Sequence, residues 1–233
     1  MALLETHEEI LNWLVENKIK DYVINDNLSV DVKGDVKLIS LNAVLPIRFG
    51  IVSGGFDCSE SKITSLDGCP SYVGGDFNCY NSKLTSLEGC PEIIIGNFNC
   101  GRNRLDLLFG CPKIVGGDFN CYSNDFTSLI GCSIEVGGSF NCYNNKLSSL
   151  KGCPKSVGGN FDCSYNELSS LEFLVKDIGG VFDCSENNFE SNEFFLYDYT
   201  PEQIYMYYSN KHLNEKLLVG LSEKGNIGIK NKL

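Results

Sequence analysis

The sequence predicts a mainly β solenoid with helices at its ends, and three observations carry that reading. Cysteine recurs every 21 residues, at Cys58, Cys79, Cys100, Cys121, Cys142, Cys163 and Cys184. Phenylalanine precedes each by two positions, from Phe56 and Phe77 through to Phe182. A second cysteine column, Cys69, Cys90, Cys111, Cys132 and Cys153, keeps the same period and completes the 12 cysteines of the 233-residue chain. A fixed period of this length marks stacked copies of one supersecondary unit, each burying its apolar side against its neighbours. About seven to eight coils are expected over residues 36–192, with a helix-containing cap over 1–35 and a helical cap over 193–233.

The first cap opens with an amphipathic helix over 5–18. Thr6 and Glu9 have the spacing of a capping box, and Ile10, Leu11, Trp13, Leu14 and Val15 supply the apolar side. Tyr22–Ile24 and Leu28–Val32 read as short strands around the turn-prone Asn25-Asp26-Asn27. Val36, Leu38 and the run to Pro46 form a degenerate opening coil. These elements should cover the first sheet edge, which would otherwise pair with other chains.

Each coil reads Phe-x-Cys-x-x-Asn-x-Leu-x-x-Leu-x-Gly-Cys-Pro-x-x-Val-Gly-Gly-x, shown well by Phe140 to Gly159. Phe and Cys share the inward face of a short strand, since residues two apart point the same way. Asn103, Asn124, Asn145, Asn166 and Asn187 follow, where an amide can satisfy backbone groups of the turn. Ser61 and Ser82 stand there in the first two coils, whose turns should be less firmly tied. Two leucine columns and a valine column close the coil. The Gly-Gly pairs are expected to make a tight return through positive φ. A single parallel sheet is expected, with extended or single-turn segments on the convex side. At the far end, Thr200-Pro201-Glu202 begins a helix, and a second helical stretch is expected over about 211–222.

The cysteines read as buried, free and structural. Metal ligation favours close pairs such as Cys-x₂-Cys, whereas here the two columns lie eleven residues apart and the only histidines are His7 and His212. Neighbouring strands also hold Cβ atoms farther apart than a disulfide prefers. A calcium site at Asp162 and Asp183 would lack a dedicated acidic loop. No metal, cofactor or catalytic constellation is expected, and the chain reads as non-enzymatic. The net charge of -11 argues against direct contact with nucleic-acid phosphates or anionic membrane. It suits a protein partner that is basic or itself binds nucleic acid. The N-terminus lacks the basic start and apolar run of a signal peptide, so a cytoplasmic location is expected.

The segment Phe-x-Cys-x-x-Asn-x-Leu-x-x-Leu has the spacing of a leucine-rich repeat. With Gly-Cys-Pro-x-x-Val-Gly-Gly and the lead-in Asn25–Val36, the array resembles short cysteine-containing leucine-rich repeat proteins of tailed bacteriophages and bacteria. Ile95 in place of Gly and Ser133 in place of Pro depart from that pattern. The resemblance implies a phage-encoded protein in the bacterial cytoplasm and names no single activity. The functional reading is a module that binds and blocks or redirects a host protein, a defence or nucleic-acid-acting factor among them. The alternative is a structural or self-associating scaffold.

The expected contact surface is the outward side of the Phe-x-Cys strands. Tyr80, Tyr122 and Tyr143 follow cysteine and offer apolar area with a polar tip. Asn78, Asn120 and Asn141 lie beside them, in a column expected to hydrogen-bond along the sheet. Asp76 and Asp118 precede phenylalanine and add a negative rim suited to a Lys/Arg-bearing partner.

Overall fold

The structure, a computed structural model, describes residues 3–38, 41–132, 135–189 and 200–212. It is a solenoid of parallel strands with a helix at each end. The N-terminal helix spans His7–Glu16, and Thr6 and Glu9 form the expected capping box. Ile10 and Leu14 are buried and Trp13 packs against the core, whereas Leu11 and Val15 are exposed. The apolar side of this helix is therefore narrower than its sequence suggests.

Tyr22–Ile24 and Ser29–Val32 pair as the expected antiparallel hairpin. The second strand continues in parallel into Arg48–Val52. From there two eight-stranded sheets run the length of the stack, and Asn42–Ala43 pairs with Lys62–Ile63 in a small third sheet. One holds Tyr72–Val73, Ile93–Ile94, Ile114–Val115, Glu135–Val136 and Ser156–Val157, and is called the valine sheet. The other runs from Val36–Lys37 through Phe56–Asp57, Phe77–Asn78 and their equivalents to Phe182–Asp183, and is called the phenylalanine sheet. Register is 21 residues from Phe56 onward, as in Phe98 against Phe119 and Val115 against Val136, and 20 where Val36 meets Phe56. The valine column thus builds a second sheet where the sequence suggested a single one.

The Gly-Gly corner joins the two sheets, and its physical role differs from the expected one. Positive φ falls instead on the glycine of Gly-Cys, with Gly68, Gly89, Gly110, Gly131 and Gly152 between +82° and +103°. The paired glycines are favoured because the preceding coil's backbone lies against them. A Cβ on Gly137 would meet the Gly116 carbonyl oxygen at 2.1 Å. Ile95 occupies the same column with its side chain half exposed, so the demand for glycine at this corner is not absolute. The sequence also concealed a left-handed column of non-glycine residues four after each phenylalanine, including Asn81, Arg102, Ser123 and Asn144 near φ +50°. That reversal turns the following asparagine inward.

Inside, Phe56 to Phe182 form a continuous aromatic column with neighbouring centroids 4.8 to 5.8 Å apart. Phe49 extends it, packing edge-on against both Phe56 and Trp13 and so tying the cap to the array. All 12 cysteines are free, and the Phe-x-Cys column is buried. Burial pushes the Cys100, Cys121, Cys142 and Cys163 thiols well above their ordinary value, and neighbouring thiols add to the effect. They pack as small apolar groups.

The inward asparagines link consecutive coils. Asn145 Nδ2 donates to the carbonyls of Cys121, Cys142 and Tyr143 at 3.0 to 3.3 Å. Its Oδ1 accepts the N–H groups of Asn124 and Phe126 in the preceding coil. Ser61 reaches only its own coil's Cys58 carbonyl at 2.7 Å, the Ser82 hydroxyl at 3.3 Å and, weakly, the Ile63 N–H at 3.5 Å. The first turns are less firmly tied, as expected.

At the far end a helix over 201–212 buries Ile204 and Tyr208. The Tyr208 hydroxyl accepts the Leu171 N–H, and His212 lies 3.1 Å from Glu172. Ser133 and the part of the expected second helical stretch beyond residue 212 lie outside the described residues. No helix among the described residues is long and apolar enough to cross a membrane.

Candidate interaction surface

Asx turns at the end of the phenylalanine-sheet strands position the candidate side chains. Asn78 Oδ1 accepts the Tyr80 N–H at 3.1 Å, and Asn141 Oδ1 accepts that of Tyr143 at 3.3 Å. Asn120 holds the same register position, paired with Asn99 and Asn141. The expected bonding of these side chains to one another along the sheet does not occur among the described residues. Each shown oxygen serves its own coil, two residues on, because the chain bends there and presents an N–H at short range.

The hydrogen-bonded ladder along the sheet lies instead one residue before phenylalanine. Asp76 Oδ1 accepts the Asn97 N–H, Asn97 Oδ1 that of Asp118, and Asp118 Oδ1 that of Ser139, each at 2.7 Å. Asp76 and Asp118 are thus partly committed to joining coils. They sit four residues from the tyrosines along the same coil, roughly 13 Å away in extended chain, and form the opposite margin of the strand.

The tyrosines come together across a gap. Gly101 occupies the tyrosine position between Tyr80 and Tyr122, and a Cβ there would lie 3.0 Å from Tyr122 Cζ. Tyr122 therefore leans over the glycine, bringing its ring 6.2 Å from Tyr80, while Tyr143 stacks on its other side at 5.0 Å and 11°. The three rings form one half-buried tier. Burial raises the Tyr122 hydroxyl above its ordinary value, Tyr80 and Tyr143 reinforce this, and Arg102 opposes it. The group stays a neutral phenol at physiological pH, able to donate and accept.

Arg102 was missed in the sequence. Its guanidinium lies 5.9 Å from the Tyr80 ring centroid, a cation–π contact made from the Gly101 coil between Tyr80 and Tyr122. The available signal was a glycine followed by arginine where adjacent coils carry tyrosine. Toward the cap, Gly55 interrupts the Asp76 column and opens a depression of about 530 Å³ lined by Asp35, Lys37, Asp57, Asp76 and Asn78, among others. Among the described residues, no group of three or more His, Cys, Asp or Glu could hold a metal ion.

Fold and surface together define the class: a parallel β solenoid of 21-residue coils bearing an aromatic tier on one sheet. Comparison of the chain with protein-family models, curated proteins and solved structures gives no match in any of the three.

Proposed function

We propose that this chain is a non-enzymatic protein-binding solenoid whose contact centre is the Tyr80–Tyr122–Tyr143 tier. The supporting observation is that Tyr122 crosses Gly101 to make the three rings continuous. Adjacent tyrosines offer amphipathic contact area with only two torsions each to immobilise, the property that concentrates binding energy at protein interfaces. Asp76 and Asp118 along the opposite margin, with a chain charge of -11, favour a partner bearing Lys and Arg. In the setting the resemblance implies, a phage product blocks or redirects a bacterial host protein.

Affinity capture from bacterial lysate compares the native chain with a Tyr80→Ala/Tyr122→Ala/Tyr143→Ala variant of matched circular dichroism. One protein retained by the native chain and weakened at least about 30-fold by the variant is the expected result. Equal recovery by both removes the tier as the contact surface. A mass that rises with concentration, and falls back in the variant, identifies a self-associating scaffold instead.

A further inference from the structure

The outward side of the valine sheet carries a second, unrelated surface. Its outward residues alternate with buried Val52, Val73, Ile94, Val115 and Val136. Four consecutive rungs are apolar: Ile51, Tyr72, Ile93 and Ile114 lie in register. Ile51 and Ile114 are each 49% exposed, and Ile95 at the adjoining corner is 50% exposed. The run is bracketed by acids. Asp31 precedes it, its Oδ1 accepting the Ile51 N–H at 2.8 Å, and exposed Glu135 follows it in register with Ile114. The exposed Lys113–Glu92 pair beside the run adds no net charge.

We propose that this face docks an amphipathic helix of another protein, apolar along its centre and carrying Lys or Arg at both ends. The dimensions select a helix. Rungs about 4.8 Å apart nearly match the helical pitch of about 5.4 Å, a drift of about 0.6 Å per rung. An extended segment laid along the stack repeats every 6.7 Å or so on one face and loses register within two rungs. Asp31 to Glu135 spans five rung spacings, about 24 Å, which is about 16 helical residues. The strands are two residues wide, so one helix along the stack axis covers the row. The bracketing acids choose the charge of its ends. They also disfavour a second copy, because a two-fold axis centred on the row would set Asp31 of one chain against Glu135 of the other.

The test uses two labelled synthetic 18-residue peptides with the same Ile/Leu face at helical spacing, one ending in Lys pairs and the other in Glu pairs. Fluorescence anisotropy with the full chain should show the Lys-ended peptide binding at least ten-fold more tightly. Ile51→Ser/Ile114→Ser, at half-exposed positions, should weaken it at least ten-fold with unchanged circular dichroism. Asp31→Asn/Glu135→Gln should erase the preference between peptides, and the amide introduced at the first site still offers the Ile51 N–H an oxygen. The Tyr80/Tyr122/Tyr143→Ala variant should bind as the native chain does, which separates this face from the tyrosine tier. Equal binding of both peptides, no binding of either, or loss only in the tyrosine variant overturns the proposal. A dimer by light scattering that Ile51→Ser/Ile114→Ser dissolves also overturns it, in favour of a second copy.

Discussion

Replacing Asn145 by leucine tests whether the buried amides hold the coils together. Leucine keeps the branching and heavy-atom count of asparagine, so it removes the hydrogen bonding at similar shape, with some overpacking from its larger methyl groups added to the loss. The Asn124 and Phe126 N–H groups lose the oxygen they share at 3.1 and 3.3 Å, and the Cys121 and Cys142 carbonyls lose a donor. Two buried donors left unpaired at about 1–3 kcal/mol each put the loss at about 2–6 kcal/mol. Asn145→Ser should cost somewhat less, because both N–H groups still lose Oδ1 but a hydroxyl keeps the bond within its own coil that Ser61 makes to the Cys58 carbonyl. Urea unfolding followed by far-ultraviolet circular dichroism gives the energies. Hydrogen exchange at the Asn124 and Phe126 amides locates the damage, which matters because solenoids lose cooperativity coil by coil. A leucine variant within about 1 kcal/mol of the native chain, or a serine variant as unstable as the leucine one, would refute this account.

The corner glycines and the thiols make further predictions. Gly137→Ala sets a Cβ at 2.1 Å from backbone that no rotamer can move, and should cost about 3 kcal/mol or more by urea unfolding. Gly34→Ala, with φ +108° and nothing within 4 Å, should cost only the conformational strain of about 1–2 kcal/mol. Equal losses would show that the steric account of the corner is wrong. Alkaline pH should destabilise the fold. Burial holds Cys100, Cys121, Cys142 and Cys163 well above their ordinary 9.0, Cys153 at about 11 and Cys184 at about 12. Below pH 9.0 these thiols are protonated in both states and their contribution is intact; above it the unfolded chain ionises first. Each then withdraws up to about 1.4 kcal/mol per pH unit until its folded value is reached. Urea midpoints should be flat from about pH 7 to 8.5 and fall steeply from about pH 9 to 11, and a flat profile across both ranges would contradict the burial of the columns.

Much of the fold was legible because a fixed period repeats one local decision many times. Phe140 and Cys142 two apart, Asn145 three later and Leu147 two beyond that specify an inward strand, a turn and a core return without reference to distant residues. The helix cap at Thr6 and Glu9 and the hairpin around Asn25-Asp26-Asn27 are local in the same sense. Features that depend on the distance between coils were hidden. Gly137 is glycine because of the Gly116 carbonyl 21 positions earlier, and a one-dimensional pattern cannot distinguish that demand from a need for positive φ. The second sheet arises likewise, since Ser156–Val157 becomes a strand only beside Glu135–Val136. The tyrosine positions were readable, but the reach of Tyr122 across Gly101 and the contact of Arg102 with Tyr80 were not.

The tyrosine tier can be separated from the fold by the coils that lack it. Ser59 and Ser164 occupy the same turn position and satisfy it fully, each donating its hydroxyl to the aspartate two residues back at 2.6 Å. Ser185 makes the same backbone bond to Asp183. Stacking therefore does not require tyrosine there, and in an exposed column serine exposes less apolar area to water. The same holds for the valine sheet, where Ser156 pairs with Glu135 in the register that Ile93 and Ile114 use three and two coils earlier. Large side chains cluster in both columns, Tyr80, Tyr122 and Tyr143 about the Gly101 gap and Ile51, Tyr72, Ile93 and Ile114 in adjoining rungs, where they can form one surface. A residue that the stack can replace by serine, yet which is clustered with others of its kind, is what the proposed contact surfaces would require. The inward columns encode the solenoid, and these two outward columns are where binding is to be sought.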